Sequence, residues 1–184
     1  MLPIQLPGAG NYRCLDGDVF CYILAPGGVD FPVLLEWMRE EGKEEDLFEE
    51  PYFGVCQQLN MSFLTQVLGN PEGAQAMVPQ LMHINEVLAR FFAGMTAHDA
   101  YIGGQTRRIL NGIVSTPRDL AQNEQLRARE WFKQLEVDFL NTSLEFPGAP
   151  YRLSETPVVI KRPPRLGEHT DEVLASLATA GGTR

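Results

Sequence analysis

The spacing of hydrophobic and polar residues changes along this chain, and its first pattern is that of a β-hairpin. In YRCLDGDVFCYIL (12–24), apolar and β-prone residues stand on both sides of Asp16-Gly17. An Asp-Gly pair readily takes the positive φ angles of a two-residue hairpin turn, so the pattern predicts a turn at this pair. A turn centred there places Tyr12 opposite Cys21.

The two cysteines of this hairpin are predicted to be buried thiols. In the same register Cys14 lies opposite Val19, which makes Cys14 and Cys21 diagonal neighbours on one face. Diagonal neighbours in an antiparallel pair are roughly 7–8 Å apart, which is too far for an unstrained disulfide. We therefore expect two free thiols that face the interior.

Three stretches further along carry the period of amphipathic helices. The first begins after Asp30, which can cap the free amides of the first turn, and ends at Gly42. The second covers about 75–94, and the third starts at Thr96, where Thr96 and Asp99 form a capping box with Asp in place of Glu. The apolar stripes of the first two helices consist of Phe31, Leu34, Leu35 and Met38, and of Leu81, Ile84, Leu88 and Phe91.

A strand and a proline-rich segment follow these helices. RRILNGIVS (107–115) is typical of a strand, and Thr116 followed by Pro117 predicts the start of another helix. From about residue 141 the character changes, because five prolines between 147 and 164 exclude a long helix. A short helix is predicted at 171–179, where acidic residues favour its start.

These elements predict an α+β fold in two parts. Residues 1–115 form a small α+β domain with an N-terminal hairpin, and residues 116–184 form a C-terminal helix and an extended arm that ends in a short helix. Such an arm has little core of its own. We therefore expect it to lie along a surface that this chain does not supply.

Composition and charge exclude several classes of function. The 184 residues are 44% hydrophobic and 21% charged, as in a globular protein, and the net charge of -9 disfavours binding to nucleic-acid phosphates. No stretch approaches the roughly 20 apolar residues that span a bilayer, and the N-terminus has no basic residue ahead of an apolar run. Three cysteines without CxxC spacing indicate a reducing, cytoplasmic setting and no structural zinc site.

The residue chemistry alone shows no active site. GxSxG and HExxH are absent, and Gly8-Ala9-Gly10 lacks the third glycine and the helix of a dinucleotide fingerprint. The three histidines are far apart, so we predict surface, capping or packed roles for them rather than metal ligation. The small basic cluster of Lys161, Arg162 and Arg165 could meet a phosphate, but scattered exposed charge is the preferred interpretation.

The last third of the chain resembles a known family. NEQLRAREWF (123–132), FPGAPYRLSETP (146–157) and PPRLGEHTDEVL (163–174) occur in the order and at the spacing of the closing segment of family III CoA-transferases. This family includes formyl-CoA, carnitine-CoA and related acyl-CoA transferases. The resemblance extends upstream through 97–115 and to the hairpin around Arg13 to Asp18, so the chain is similar to the C-terminal half of the family.

The resemblance implies an acyl-CoA:carboxylate CoA-transferase whose nucleophile lies elsewhere. Family members are interlocked homodimers with a large domain, a small domain and a C-terminal segment that returns to the large domain. An aspartate of the large domain attacks the acyl-CoA thioester, a mixed anhydride and an enzyme-bound CoA thioester follow, and a carboxylic acid accepts the CoA. No catalytic residue is carried over to this chain, no cofactor or metal is implied, and the CoA thioester is a substrate.

Two further hypotheses and one binding site accompany this interpretation. The chain is expected to be inactive alone and to need an N-terminal half, as a truncated product or one piece of a split enzyme. It could instead be a non-catalytic regulatory subunit, or belong to the racemase branch, which uses a His and an Asp for proton transfer. The segment 7–11 stands where the family has a glycine-rich loop over the active site, so Gly8 and Gly10 are predicted to contact substrate; the alternative is a plain flexible N-terminal lead-in.

Overall fold

The structure is a computed structural model that describes residues 5–23 and 29–180. The chain divides into two compact units, Met1–Thr116 and Pro117–Arg184, which we call unit 1 and unit 2. Both units combine helices with strands, in agreement with the predicted α+β class. None of the helices within the described residues is long and apolar enough to cross a membrane.

Unit 1 combines five helices with a three-stranded antiparallel sheet. The sheet has the order β1-β2-β3, so the central strand pairs with both neighbours. In chain order the elements are β1 (Ala9–Arg13), β2 (Asp18–Tyr22), α1 (Phe31–Glu40), α2 (Tyr52–Gln58), α3 (Met61–Gly69), α4 (Pro71–Ala93), α5 (Ala97–Thr106) and β3 (Leu110–Ile113).

The hairpin of β1 and β2 forms, but its predicted register is wrong by two residues. Tyr12 lies opposite Val19 rather than Cys21, and a four-residue connection at 14–17 replaces the two-residue turn. The physical reason is that the Asp16 carboxylate accepts a hydrogen bond of 2.7 Å from the Ala97 amide, at the start of α5. Because side chains alternate along a strand, a shift of two residues keeps every side chain on its predicted face.

The helices α1 and α4 bury the stripes that their sequences predict. The exposed fraction of each of the eight stripe residues is 1% or less. Asp30 is the N-cap of α1, but its side chain makes no capping hydrogen bond, contrary to the prediction. Helix α4 begins earlier than expected, at Pro71, because the Asn70 side chain accepts a hydrogen bond from the Gly73 amide and caps the first turn.

The sequence predicted the start of α5 correctly, but it predicted too long a strand after this helix. The predicted N-cap is confirmed, since the Thr96 hydroxyl accepts a hydrogen bond of 3.0 Å from the Asp99 amide, and the Asp99 carboxylate reaches back to accept one of 2.7 Å from the Thr96 hydroxyl rather than from its amide. Strand β3 is shorter than the predicted 107–115. The residues after α5 form a tight turn, in which Arg108 has a φ of 61° and the Ile109 amide donates to the Gly104 carbonyl.

Aromatic rings and thiols fill the interior of unit 1. The Trp37 ring meets the Phe91 ring edge-on at 5.0 Å, and Phe92 lies 5.0 Å from Tyr12. Cys14 and Cys21 are free and buried, as predicted, and so is the third cysteine of the chain. The strands and helices are therefore held together by one continuous apolar core.

Unit 2 contains a hairpin that the sequence analysis did not predict. Its elements are α6 (Pro117–Gln122), α7 (Glu124–Ala128), β4 (Phe132–Val137), a 3-10 turn (Asp138–Leu140), β5 (Thr142–Pro147) and α8 (Thr170–Ala180). Strands β4 and β5 are antiparallel, with Leu135 opposite Leu144. The connection between them ends at Asn141, whose φ of 50° lies in the left-handed region that asparagine tolerates.

The segment between β5 and α8 is irregular, and polar contacts hold it. Arg162 makes two hydrogen bonds to Glu168, of 2.6 and 2.8 Å, and Arg162 and Arg165 both contact Asp138. Val137 is the one apolar side chain in the described part of unit 2 that is fully buried. Unit 2 therefore has almost no apolar core of its own, which is the property expected of the arm.

Candidate functional site

The two glycines predicted to contact substrate lie at the start of the hairpin. Gly8 comes directly before β1 with a φ of 70°, and Gly10 lies within β1, opposite Cys21, with a φ of 155°. The Gly8 amide donates a hydrogen bond of 2.8 Å to the Tyr12 hydroxyl, and its carbonyl accepts one of 2.8 Å from the Ile23 amide. The segment 7–11 thus runs directly into the sheet of unit 1.

The surroundings of the two glycines differ. A Cβ atom on Gly8 would lie 2.6 Å from Cγ1 of Ile23, so the positive φ and close packing both require glycine there. A Cβ atom on Gly10 would lie 2.7 Å from the end of the Gln5 side chain, which is exposed and flexible. Packing and φ both account for the glycine at position 8. At position 10 the neighbouring side chain can move away, but the φ of 155° still favours glycine. Their contact with substrate stays a prediction.

Tyr12 connects this segment to the helical layer. Its hydroxyl accepts from Gly8 and donates to Oδ1 of Asn85, on α4, at 2.7 Å. Burial raises the pKa of Tyr12 well above its ordinary value of 10.0, so the phenol is neutral and serves as a hydrogen-bonding link. The sequence analysis missed Asn85, because no local pattern marks a polar side chain on the inner edge of an amphipathic helix.

The three thiols are not nucleophiles in this structure. Burial raises the pKa of Cys21 and of Cys56 to about 12. Burial raises the pKa of Cys14 too, and the charges of Asp16 and Asp18 add to that effect. Since the thiolate is the reactive form, these cysteines act as small apolar residues of the core.

The histidines do not converge. His83 lies with Nε2 2.8 Å from Oδ1 of Asp46, and its ring stacks on Tyr52 at 4.2 Å. His169, directly before the last helix of unit 2, pairs with Glu172 at 3.3 Å. Within residues 5–23 and 29–180 there is no cluster of three or more His, Cys, Asp or Glu side chains suited to a metal ion.

The two arginines of the basic cluster near the C-terminus are paired with carboxylates. Arg162 and Arg165 are bound by Asp138 and Glu168, as described above for the arm. The hydrogen bonds from Arg162, and then from the Arg165 amide, lower the pKa of Glu168 to about 2. The two arginines therefore stabilise the arm, and their charge is already matched without a phosphate.

The carboxylates with a lowered pKa are partners in ion pairs rather than catalytic acids. Arg90 holds the pKa of Glu45 below its usual value, and Arg127 does the same for Glu145 through hydrogen bonds. General acid catalysis near neutral pH instead needs a carboxyl whose pKa is raised. Glu45 and Glu145 therefore serve the ion pairs that stabilise the fold.

Comparison with known proteins places these features in a family context. Residues 4–170 match the family described as CoA-transferase family III. The chain is 29% identical over 165 residues to the succinyl-CoA:(R)-benzylsuccinate CoA-transferase subunit BbsE of Thauera aromatica, covering 89% of this chain and 37% of that protein. It is 31% identical over 101 residues to the formyl-CoA:oxalate CoA-transferase of Rhodopseudomonas palustris strain TIE-1, and this match covers 52% of this chain and 23% of that protein.

Solved structures agree with the fold. A CAIB/BAIF family protein from Brucella suis superposes with a TM-score of 0.59 at 15% identity, over 94% of this chain and 38% of that one. The orthorhombic form of Rv3272 from Mycobacterium tuberculosis gives a TM-score of 0.53 at 14% identity, over 89% and 39%. The chain thus spans well under half the length of the proteins that it resembles.

Proposed function

Because the chain belongs to CoA-transferase family III, we propose that it is part of an enzyme that moves CoA from an acyl-CoA to a carboxylic acid. The observation that carries the proposal is the family match over residues 4–170, together with relatives whose names describe CoA-transferases. The nucleophilic aspartate would be supplied by an N-terminal half of the enzyme.

The proposed reaction proceeds through the aspartate of that half. Its carboxylate attacks the thioester carbonyl, the C–S bond breaks, and CoA leaves as the thiolate. The thiolate attacks the aspartyl carbonyl of the resulting anhydride, which releases the first carboxylate and forms an enzyme CoA thioester. A second carboxylate then repeats the sequence in reverse. The substrate provides the CoA, so no resident cofactor takes part.

Within this enzyme, unit 1 would cover the acyl-CoA site and unit 2 would return to the large domain. The near absence of an apolar core in unit 2 supports the second part, since its exposed leucines and valines need a surface to cover them. The enzyme would assemble as a homodimer. The contact of Gly8 and Gly10 with substrate belongs to the same proposal. Gly10 is the better probe of it, because the Gln5 side chain can make room for a methyl group, although the φ of 155° adds backbone strain that a urea titration of the variant must measure.

The experiment combines this chain with a family large domain. The purified chain, mixed with succinyl-CoA and a free carboxylic acid, should give no exchange of CoA. Co-expression with the N-terminal part of the Thauera aromatica relative should give exchange, and replacing the nucleophilic aspartate in that part should abolish it. In the active assembly, Gly10→Ala should raise the KM for acyl-CoA. Robust exchange of CoA by the chain alone would overturn the proposal that an N-terminal half supplies the nucleophile.

The exposed arm also favours a second candidate, a non-catalytic subunit that docks on a complete transferase. In that case the chain should capture a full-length relative and not an isolated N-terminal half. The racemase branch is tested in the same assembly. Exchange of an α-proton for deuterium without transfer of CoA would select it over the transferase.

A further inference from the structure

Asn111 is a buried polar residue where β3 meets α5. Its exposed fraction is 7%, although its side chain is an amide. The Nδ2 atom donates a hydrogen bond of 2.7 Å to the Ala100 carbonyl, and the Oδ1 atom accepts one of 3.1 Å from Nε2 of Gln105. Ala100 and Gln105 both belong to α5, so this one amide fastens the strand to the helix.

A glycine follows Asn111 directly, which is true of no other asparagine in the sequence. The remaining six asparagines precede Tyr, Met, Pro, Glu, Glu and Thr. Before glycine, no Cβ atom hinders the approach of the next backbone nitrogen to the asparagine side chain, and the backbone turns freely. Asn-Gly is therefore the pair in which asparagine loses its amide nitrogen most readily.

This loss is an attack of the chain on itself, followed by hydrolysis. The Gly112 amide gives its proton to hydroxide, its nitrogen attacks Cγ of Asn111, and the bond from Cγ to Nδ2 breaks. The side-chain nitrogen takes a proton from water and leaves as ammonia, and a cyclic imide remains. Water then opens this imide: attack at Cγ gives aspartate, and attack at the backbone carbonyl carbon gives isoaspartate. Water is the co-reactant, and no group is oxidised or reduced.

The folded chain holds both reacting groups apart. The Asn111 side chain is fixed on α5 by the hydrogen bonds given above. The Val114 amide donates to the Asp18 carbonyl at 2.9 Å, and hydrogen-bonded pairs recur at every second residue of an antiparallel ladder. The Gly112 amide, opposite Phe20, is therefore engaged in the same ladder. The reaction requires β3, an edge strand of its sheet, to separate locally from α5 and β2.

Conversion of the amide would oppose the return of the strand. Nδ2 of Asn111 faces the carbonyl oxygens of Ala100 and Tyr101, so a carboxylate oxygen in its place would meet two acceptors and have no proton to donate. A buried carboxylate in such surroundings is strongly disfavoured, and the Ala100 carbonyl would lose its donor. Isoaspartate also adds an atom to the main chain, which disturbs the pairing with β2.

We propose that Asn111 is a deamidation site that the native fold keeps closed, and that its conversion releases β3 from α5 irreversibly. A chain that has opened at this strand is thereby marked, whereas a chain that stays folded is not. The proposal goes beyond CoA transfer and does not rest on it, because it uses residues of unit 1 and water alone.

The first test compares conversion in the native and in the unfolded 184-residue chain. The chain is kept in mildly alkaline buffer with and without guanidinium chloride, and peptide mass spectrometry follows each asparagine. In the unfolded chain Asn111 should convert first, and in the native chain it should convert at least about tenfold more slowly, because only the opened fraction reacts. The control is Gly112→Ala, whose added Cβ atom meets no atom within 4 Å. It should keep the fold and slow conversion of the unfolded chain about tenfold.

The second test asks whether the product can regain the native fold. Asn111→Asp carries the aspartate product, so it should lower the urea midpoint or fail to fold. Asn11→Asp, the same change at an exposed residue of β1, should leave the midpoint nearly unchanged. The proposal is overturned if Asn111 converts equally fast in the native and unfolded chains, or if another asparagine converts ahead of it in the unfolded chain. Equal urea midpoints of the two aspartate variants would overturn it as well.

Discussion

Replacing Tyr12 with phenylalanine tests how the glycine segment is tied to the helices of unit 1. The change removes one oxygen atom, which accepts a hydrogen bond from the Gly8 amide and donates one to Asn85. The phenyl ring stays, so its packing against Phe92 at 5.0 Å is kept. The effect therefore reports the hydrogen bonds rather than a cavity.

The expected cost comes mainly from the Gly8 amide. That bond is buried, so Tyr12→Phe leaves a donor without a partner, which costs about 1–3 kcal/mol. Asn85 is only partly buried, and its side chain can turn to water, so its share is small. We expect the free energy of unfolding of unit 1 to fall by about 2 kcal/mol, which lowers the urea midpoint by roughly 1 M for a typical slope.

Urea unfolding followed by Trp37 fluorescence measures this change. Trp37 is 3% exposed in the core of unit 1, and a Trp131→Phe background removes the signal of unit 2. The control is Tyr22→Phe, the same chemical change on a strand residue whose hydroxyl has no hydrogen bond to a described residue. It should cost less than about 0.5 kcal/mol. A loss of the same size in both variants would refute the role given to the Tyr12 hydroxyl.

Three other outcomes follow from the core of unit 1. Because the folded pKa of Cys21 and of Cys56 is about 12 and the ordinary value is 9.0, the unfolded chain loses these protons first. Unfolding free energy should therefore fall as pH rises from 9 towards 12, by up to about 1.4 kcal/mol per pH unit for each thiol. A variant with alanine at both positions should show a flatter dependence of the urea midpoint on pH. An unchanged dependence would contradict the role given to the two thiols. All three cysteines should resist Ellman's reagent in the native chain and react in urea, whereas fast native labelling would contradict their burial. Gly104→Ala puts a Cβ atom 2.1 Å from Nδ2 of Asn111 and should lower the unfolding free energy by about 1–3 kcal/mol in urea titrations. This loss should be larger than the loss caused by Gly112→Ala, whose added Cβ atom meets no atom within 4 Å.

The helices of unit 1 could be predicted because their signals are local. The apolar period of α1 and α4 and the Thr96–Asp99 capping box each lie within a few turns of chain. The register of the β1–β2 hairpin could not be predicted, because the hydrogen-bond partner of Asp16 is Ala97, 81 residues away. Asp-Gly is a strong turn signal only where the aspartate has no better hydrogen bond elsewhere.

The hairpin of unit 2 escaped prediction for a different reason. Most side chains on β4 and β5 are exposed on both faces, so the sequence lacks the strict alternation of a half-buried strand. The prolines from Pro147 onwards favoured an extended arm over the whole segment from about residue 141.

At the candidate site, the family resemblance predicts less than the structure shows. The three C-terminal motifs led to the correct family, although they lie in a unit with almost no apolar core. The same resemblance pointed to Gly8 and Gly10, but it gave no sign that Tyr12 and Asn85 hold the first of them in place. Hydrogen bonds between elements distant in sequence depend on the tertiary fold, and a motif of a few residues does not encode them.

The bond between Asp16 and Ala97 has a consequence for the order of folding. An isolated peptide of residues 5–23 contains the strong Asp-Gly signal but lacks α5, so it should favour the two-residue turn. The native register requires the start of α5 to be present, after a loop of about 80 residues has closed. We therefore expect the final pairing of β1 and β2 to be a late, nonlocal event, although the two strands are neighbours in the chain. Early in folding, the N-terminal hairpin is a competitor of the native sheet rather than its nucleus.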